Sequence, residues 1–377
     1  EIVGQLYSFT DKGGRQVSLR PEMTPTLARM VAARANGLKK PIRWFSIPQL
    51  FRYERQQRGR LREHFQLNCD LIGEPGPLGD AEIIALALDV MRAFGLTARD
   101  VRVRLSDRRV LNSVLARVGV RAEQFPATYA VIDKVERTDR AESLRRLSQA
   151  GLSSVTGTRV FDILQLKSVA EIAKLEDGTP GAEASAVERL GEVVQALDAM
   201  GLGDFVDVDL RIVRGLAYYT GTVFELFDAK GELRAICGGG RYDNLLASLG
   251  GVDLPALGFG MGDVVLGELL RERGLIPGET SSVDLFLAGI TEEDIPHVLR
   301  LAHQLRESGL RVEYALAPQA VGKQLKLADA RNARLAVVVG PDDRARGEVM
   351  VKDLTTKSQR SVARDTLPAH IWEVVRS

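Results

Sequence analysis

The stretch IRWFSIPQLFRYERQQRGRLREHFQLNCD, residues 42–70, decides how the chain is predicted to fold. Its opening and closing thirds alternate between apolar and polar residues, as half-buried β-strands do. A charged segment at residues 55–63 separates the two alternating runs. The pattern therefore predicts an antiparallel hairpin whose strands are joined by a long, arginine-rich loop.

The parity of the two strands predicts which side chains share a face. The apolar face, expected to point into the core, would comprise Phe45, Ile47, Phe51, Phe65, Leu67, Cys69 and Leu71. The polar face would comprise Arg52, Glu54, His64, Gln66, Asn68 and Asp70. A hairpin whose outer face is merely solvated would alternate in the same way. Five arginines between positions 52 and 62, with few acids among them, favour a polyphosphate or nucleic acid as ligand.

The composition is that of an ordinary globular protein without a strong charge bias. The 377 residues are 45% hydrophobic and 27% charged, with a formal net charge of +1. Such a length allows two or three domains, and any basic surface for a nucleic acid would have to be local. The two cysteines, Cys69 and Cys237, lack metal-ligand spacing, so neither a disulfide framework nor a metal site is expected. No apolar run approaches the ~20 residues of a membrane span and no signal peptide is visible, so a cytoplasmic location is expected.

Two common nucleotide-binding motifs are excluded. The glycine-rich segment GFGMG at residues 258–262 differs from GxGxxG and has no βαβ unit around it, so a Rossmann site is not expected. The sequence GxxxxGK[ST] does not occur, which excludes a P-loop.

Segments outside the hairpin predict further local structure. Residues 6–9 and 16–19 flank DKGG and predict a short hairpin. Helices are expected over residues 25–35, with Thr24 as N-cap, and from Asp80 to Gly95, with Asp80 as N-cap. Alternation predicts strands at residues 101–105, 205–213 and 222–228.

The two remaining parts of the chain differ in character. Residues 107–204 are rich in Arg, Ala, Leu and Glu and are broken by glycines, for example at 178–180, which predicts a run of helices. A linker is expected around residues 274–282. Beyond it, alternating strands and helices predict a largely parallel sheet covered on both sides, with strands at 283–287, 312–316, 335–339 and 349–352 and helices at 295–308, 321–333 and 367–375.

Several short motifs resemble those of one enzyme family. FRYE at residues 51–54, RGR at 58–60 and the return strand to Asp70 resemble motif 2 of class II aminoacyl-tRNA synthetases. LRPE at 19–22, RGLAYY at 214–219 and GGGRYD at 238–243 resemble histidyl-tRNA synthetases in particular. The implied fold class is α/β. An α+β catalytic domain on an antiparallel sheet would span residues 1–106 and 205–277, with a helical insertion at 107–204 and a C-terminal α/β anticodon-binding domain at 282–377.

The resemblance implies a histidine–tRNA ligase that uses ATP and Mg²⁺. L-histidine would first react with ATP to give histidyl-adenylate, and the 3′ end of tRNA(His) would then accept the histidyl group. It also implies a homodimer, with no membrane partner and with no metal held by protein ligands alone.

The resemblance assigns the substrate histidine to one group of side chains. Glu22 and Thr24 would hold its amino group, although Glu22 could equally be a solvated turn carboxylate. Asp70, with Gln66 and Tyr219, would read the imidazole. The full predicted set is Glu22, Thr24, Gln66, Asp70, Tyr218, Tyr219 and Gly239.

A second group is assigned to ATP. Arg52 and Arg214 would clamp the α-phosphate as the catalytic pair, although Arg214, at the end of an apolar strand face, could instead be half of a buried ion pair. Glu54 would accept from the adenine amino group, and His64 would stack on the ring. The full predicted set is Arg52, Glu54, Arg60, His64, Gly260 and Arg241, with Gly215 allowing close backbone approach.

A third group is assigned to tRNA. Arg55, Gln57 and Arg58 lie in the arginine-rich loop, and Lys323 and Lys326 lie in the C-terminal domain. Surface solvation would explain the two lysines nearly as well. The helical insertion would contact the tRNA acceptor arm or simply pack on the sheet.

Three departures from the family pattern leave alternatives open. Ala217 stands where many members carry an acid, motif 1 is not found, and Val265 replaces the motif 3 arginine that cups ATP. Arg241 is the predicted substitute for that arginine. The alternative function is a non-catalytic paralogue, a histidine-binding regulatory subunit of ATP phosphoribosyltransferase, and a third hypothesis is an RNA-binding module that does not bind histidine. The full C-terminal domain favours the ligase.

Overall fold

The computed structural model describes residues 2–175, 182–214, 218–276 and 283–376. The predictions for Gly215, Ala217, the break at 178–180 and most of the linker therefore lie outside the described residues. The chain forms two compact units, Glu1–Ile276 and Pro277–Ser377. None of the described helices is long and apolar enough to cross a bilayer.

The first unit contains a short hairpin and one large sheet. The hairpin pairs β1 (Ser8–Thr10) with β2 (Gln16–Ser18), as predicted around DKGG. The large sheet contains, among the described residues, β3 (Ile42–Ser46), β4 (Gln49–Phe51), β5 (Glu63–Ile72), β6 (Val101–Asp107), β7 (Val206–Val208), β8 (Thr222–Asp228), β9 (Cys237–Arg241) and β10 (Ala256–Gly262). Their spatial order is β3-β5-β10-β9-β8-β6-β7, with β4 beside β5. Neighbours are antiparallel apart from β6 and β7, so the predicted antiparallel catalytic sheet is confirmed.

Helices cover this sheet and fill the segment between β6 and β7. The described helices are α1 (Thr24–Ala32), α2 (Pro77–Ala93), α3 (Arg108–Arg117), α4 (Phe125–Ile132), α5 (Arg140–Gln149), α6 (Ser154–Ile163), α7 (Val169–Ala173), α8 (Ala182–Ala199), α9 (Leu245–Gly250) and α10 (Asp263–Glu272). Helices α3 to α8 follow one another where a run of helices is predicted. Apolar residues of α2, α3 and α8 form one core with those of β6 and β10.

Two predicted helix caps are wrong. Thr24 is the first residue of α1, and Met23 precedes it without a side-chain cap. Asp80 lies inside α2, where its carboxylate accepts hydrogen bonds from the buried Arg241. A proline in the first turn of each helix explains both starts, because Pro25 and Pro77 fix a helical φ there.

The predicted strand over residues 205–213 is also shorter than expected. Strand β7 ends at Val208, because the Asp209 carboxylate accepts the backbone N–H of Arg211 at 3.1 Å and turns the chain. The residues that follow therefore reach the site through a turn.

The hairpin that decides the fold is present, but three of the seven residues of its predicted apolar face are exposed. Strands β3 and β4 are separated by Ile47 and Pro48, so the parity count does not carry from one to the other. Phe45 is 74% exposed, Ile47 60% and Phe65 48%, which contradicts their predicted burial. Cys69 and Leu71 do enter the core. The polar residues Asn68 and Asp70 are buried as well.

The second unit is a mixed α/β sheet. Its strands are β11 (Leu285–Gly289), β12 (Val312–Tyr314), β13 (Leu335–Val339), β14 (Glu348–Asp353) and β15 (Gln359–Ala363), in the order β12-β11-β13-β14-β15. The first three are parallel, but β14 and β15 are antiparallel additions, and β15 was not predicted. Its helices are α11 (Ile295–Glu307), α12 (Val321–Ala330), α13 (Pro341–Arg346) and α14 (Leu367–Arg376).

Candidate active site

Two adjoining cavities open on the large sheet of the first unit. The larger has a volume of about 320 Å³ and the smaller about 50 Å³. Arg52, Gln66 and Arg214 line both of them. The two spaces are therefore joined at a pair of arginines, which is the arrangement needed to bring two substrates together over one anionic group.

The larger cavity is rich in arginine. The arginine-rich loop and β5 supply Arg52, Glu54, Gly59, Arg60, Leu61, His64 and Gln66. The segment after α4 supplies Asp133, Glu136 and Arg137. Further lining residues are Arg211, Arg214, Glu225, Arg234, Val264 and Val265. Burial, and then the charge of Arg52, lower the pKa of His64, which favours its neutral imidazole.

Arg52 lies at the junction of the two cavities. Its Nε donates to the carbonyl oxygen of Pro21 at 3.0 Å, which fixes the guanidinium against the turn that carries Glu22. Burial lowers the pKa of Arg52, and the nearby Glu54 and Glu22 oppose that shift. Glu54 is itself largely buried and forms an ion pair with Arg60, Oε2 to Nε 2.6 Å.

Arg214 faces Arg52 from the other side of the junction. It has a φ of +51°, in the left-handed region that non-glycine residues seldom adopt. Its Nη1 donates to Glu225 Oε1 at 2.6 Å, and its guanidinium carbon lies 5.9 Å from the centroid of the Tyr219 ring. Burial alone would lower the pKa of Arg214, but Tyr219 and Glu225 raise it overall. The buried ion pair considered from the sequence is thus present, at the wall of both cavities.

Glycine at position 238 makes room for this guanidinium. A Cβ at Gly238 would lie 1.7 Å from Arg214 Nη1, so any larger side chain would displace the arginine. Gly239, predicted to contact histidine, points to the other side, where a Cβ would meet Gly258 O at 2.4 Å and the Phe259 Cβ at 2.7 Å. The structure therefore places Gly238 at the wall of the smaller cavity, whereas Gly239 lines neither cavity and its contact with histidine stays a prediction.

The smaller cavity combines a carboxylate with tyrosine hydroxyls. The described residues that line it are Glu22, Thr24, Arg52, Gln66, Asn68, Arg214, Tyr218, Tyr219, Gly238, Tyr242, Gly258, Phe259 and Gly260. The Tyr218 hydroxyl donates to Glu22 Oε2 at 3.5 Å. Burial raises the pKa of Glu22, while Arg52 and Tyr218 oppose the shift. Gly260, predicted to contact ATP, lines this cavity and not the larger one.

Asp70 lies directly behind the wall of the smaller cavity. The Tyr242 hydroxyl donates a hydrogen bond to Asp70 Oδ1, and a Cβ at Gly258 would lie 2.4 Å from that same oxygen. Burial raises the pKa of Asp70 to about 7, although the hydrogen bond from Tyr242 lowers it. Asp70 therefore contacts the cavity through Tyr242, a residue that sequence reasoning did not assign to the site.

Asn68 is a second lining residue that the sequence prediction left without a role. It is 4% exposed, and its Nδ2 has no hydrogen-bond partner among the described residues. An unpaired buried donor is costly, so this amide is suited to a ligand that supplies an acceptor. Its place between Gln66 and Asp70 on the polar face of β5 was the available signal.

Arg241 cannot serve as the predicted ATP ligand. Its side chain is 1% exposed and lines neither cavity. The guanidinium donates to Asp80, to Asp243 and to the carbonyl oxygens of Glu74 and Gly76. These contacts contradict the prediction, because they hold Arg241 as a structural link between β9 and the start of α2.

The residues predicted to contact tRNA are exposed. Arg55, Gln57 and Arg58 lie in the loop between β4 and β5, where Arg58 forms ion pairs with Glu268 and Glu272 of α10. Lys323 and Lys326 lie on the exposed side of α12 in the second unit. Within the described ranges, no cluster of three or more His, Cys, Asp or Glu side chains could hold a metal ion.

Comparisons with known proteins agree with this division into two units. A family model described as histidyl-tRNA synthetase matches residues 1–262, and one described as an anticodon binding domain matches residues 284–373. The chain is 46% identical over 377 residues to a histidine–tRNA ligase of Opitutus terrae, covering 98% of this chain and 85% of that protein. It is 40% identical over 362 residues to the chloroplastic/mitochondrial histidine–tRNA ligase of Arabidopsis thaliana, covering 96% and 74%. The crystal structure of histidyl-tRNA synthetase from Nostoc sp. PCC 7120 superposes with a TM-score of 0.79 at 25% identity, covering 98% of this chain and 86% of that one.

Proposed function

The chain belongs to the histidyl-tRNA synthetase family, and from that premise we propose which of its residues carry out each step. It is an ATP-dependent histidine–tRNA ligase, which activates histidine as histidyl-adenylate and transfers it to tRNA. The non-catalytic paralogue is not favoured, because relatives 40–46% identical over nearly the whole chain are ligases.

We assign ATP to the larger cavity and histidine to the smaller one. The observation that supports this assignment is the pair Arg52 and Arg214 at the junction, since both guanidinium groups line both spaces. The α-phosphate of ATP would lie between them, within reach of a histidine carboxylate that enters from the smaller cavity. Holding both reactants in this geometry supplies most of the catalysis in phosphoryl-type transfers.

In the first step, a carboxylate oxygen of histidine attacks the α-phosphorus and forms a new P–O bond. The bond from the α-phosphorus to the bridging oxygen breaks, and its electron pair leaves on pyrophosphate. Arg52 and Arg214 stabilise the negative charge that develops on the α-phosphate oxygens. Glu54 and His64 would orient the adenine, and Arg60 would lie nearer the outer phosphates.

Recognition of histidine rests on the polar groups of the smaller cavity. Glu22, hydrogen-bonded by Tyr218, is the counter-ion for the ammonium group, with Thr24 beside it. The imidazole would face Gln66, Tyr219 and the Tyr242 hydroxyl that Asp70 holds in place. A site built on such hydrogen bonds rejects amino acids that lack the matching groups by roughly 10⁴–10⁵.

Magnesium completes the proposed ATP site. Mg²⁺ prefers phosphate and water ligands with one or two carboxylates, and it would neutralise charge on the phosphates. The cavity fits this need in part, because Glu54 and Glu225 line it, each already facing an arginine. The phosphates of ATP, together with water, would thus supply most of the Mg²⁺ ligands.

We extend the proposal to tRNA(His), the oligomer and the compartment. Arg55, Gln57 and Arg58 would contact the acceptor end, and Lys323 and Lys326 the anticodon stem, supported by their exposure and positive charge. A homodimer is supported by family membership and by exposed apolar side chains on β3 and β5 and just after β3, namely Phe45, Phe65 and Ile47. A cytoplasmic location is supported by the free thiols of Cys69 and Cys237.

Replacing Glu22 by glutamine tests the histidine site. The substitution keeps the shape and removes the charge that faces the ammonium group, so the KM for histidine should rise about tenfold or more while the KM for ATP stays unchanged. Initial rates of histidine-dependent pyrophosphate exchange at varied histidine and ATP provide both constants. Glu63→Gln is the matched control, because Glu63 is an exposed carboxylate at the start of β5 outside both cavities. An unchanged KM for histidine, or an equal rise for ATP, would contradict the assignment.

A further inference from the structure

Three arginines of the larger cavity have a counter-ion, and Arg234 is one of those that have none among the described residues. Arg60 pairs with Glu54, Arg211 with Asp209 and Glu136, and Arg214 with Glu225. Arg234, by contrast, forms no ion pair or side-chain hydrogen bond with any residue in the described part of the chain. It lies three residues before β9, partly buried, with its side chain on the cavity wall.

The charges around Arg234 are mainly of its own sign. Burial lowers the pKa of Arg234, and the nearby Arg60 and Arg137 lower it further, with only Glu54 opposing them. A partly desolvated cation beside two others raises the free energy of the empty site. An anion with several negative charges would remove that cost, and a polyphosphate is such a ligand.

Arg234 lies beside Val265, so its positive charge is close to the position where the family carries the motif 3 arginine. A Cβ at Gly59 would lie 3.3 Å from Val265 Cγ2 and 3.5 Å from Arg234 Cδ, so the two side chains flank one point beneath the arginine-rich loop. Val265 belongs to the first turn of α10 and is 7% exposed. The apolar side chain of Val265 thus packs beneath Gly59 of the arginine-rich loop. The long side chain of Arg234 reaches the same part of the cavity from the segment before β9.

We propose that Arg234 binds the outer phosphates of ATP and supplies the positive charge that Val265 cannot. This inference rests on the proposed placement of ATP in the larger cavity. As the bond between the α-phosphorus and the bridging oxygen breaks, negative charge moves onto the departing pyrophosphate. Arg234 stabilises that charge, and Arg52 and Arg214 stabilise the α-phosphate.

Direct binding of inorganic pyrophosphate and of ATP tests the proposal without requiring turnover. Arg234→Ala should weaken both affinities, measured by calorimetry, at least about tenfold, because a charge-assisted contact is lost. The affinity for AMP, which lacks the outer phosphates, should be unchanged. Arg271→Ala is the matched control, since Arg271 is an exposed arginine on α10 outside the cavity. A merely structural role of Arg234 would weaken AMP binding as well.

A double variant tests whether Arg234 supplies the charge that is missing at position 265. Arg234→Ala combined with Val265→Arg should regain a large part of the lost pyrophosphate affinity, since the new guanidinium would enter the same part of the cavity. Should Val265→Arg unfold the protein, Arg234→Lys replaces it, and partial retention of affinity supports the charge assignment.

Three results would overturn the inference. Unchanged pyrophosphate affinity in Arg234→Ala is the first, and equal losses for AMP and ATP are the second. The third is a loss of pyrophosphate binding in Arg137→Ala but not in Arg234→Ala, which would assign the outer phosphates to the segment after α4. Each result is separate from a failure of the ligase function, which would appear as absent histidine-dependent exchange in the wild-type protein even where pyrophosphate binds.

Discussion

Replacing Arg214 by alanine is expected to lower the rate of histidyl-adenylate formation by about 10²–10³, the usual cost of removing one preorganised donor to a transition state. Its guanidinium lies on the wall of both cavities, at the point assigned to the α-phosphate. The affinity for histidine should change far less, because the loss concerns charge that develops during the reaction. Single-turnover formation of the adenylate, measured by rapid quench at saturating ATP and histidine, isolates this step.

The ion pair with Glu225 requires a separate control. If Arg214 mattered only as half of that buried pair, Glu225→Gln would cause an equal loss, since it removes the partner and leaves the arginine in place. We expect a much smaller loss of rate for Glu225→Gln than for Arg214→Ala. Equal losses, or an Arg214→Ala rate within tenfold of the wild type, would remove Arg214 from the mechanism.

Replacing Asp70 by leucine is expected to lower kcat/KM for histidine roughly 10²-fold, because the buried Tyr242 hydroxyl loses its acceptor. Leucine keeps the branching at Cγ but cannot accept a hydrogen bond, so the substitution removes the acceptor without leaving a cavity. With Asp70 as acceptor, the Tyr242 oxygen keeps a lone pair for the substrate imidazole N–H. Steady-state kinetics at varied histidine measure the loss, and an unchanged kcat/KM would exclude Asp70 from recognition.

The hydrogen-bonded pair of Asp70 and Tyr242 also predicts that kcat/KM for histidine depends on pH. Burial raises the pKa of Asp70 to about 7, so the free protein carries a neutral Asp70 below that pH and a carboxylate above it. As the pH falls from 8 to 6, kcat/KM for histidine should therefore fall roughly tenfold through this group. Asp70→Asn should lose this part of the profile and keep the part due to the imidazole of free histidine. Tyr242→Phe removes the hydrogen bond that lowers the pKa, so the transition should move to higher pH.

Sequence parity predicted the placement of side chains where a motif lies on a regular strand. Gln66 and Asn68 lie on β5 with the parity expected, and both line the smaller cavity. Glu22 and the pair Arg214 and Tyr218 come from two distant segments, and the structure brings them together as the motifs imply. Side chains on strands of fixed register are predictable, because the alternation is a property of the backbone.

Prediction failed where tertiary packing, and not the local pattern, decides the outcome. Phe45 is paired with the buried Cys69 and shares its face, yet Phe45 is exposed, because parity gives the face of a side chain and not what covers that face. Arg241 and Arg234 could not be told apart by residue type, because only the fold decides which one meets Asp80. The irregular segment before β9 carries no periodic signal, which is why Arg234 was not singled out.

This chain is expected to activate histidine through the junction of the two cavities, with valine at position 265. Amino-acid-dependent exchange of labelled pyrophosphate into ATP tests it most directly, with each of the twenty amino acids offered in turn to the folded wild-type protein. The expected result is exchange that requires histidine and is supported by no other amino acid. Exchange that is absent, or equally strong with another amino acid, would contradict it.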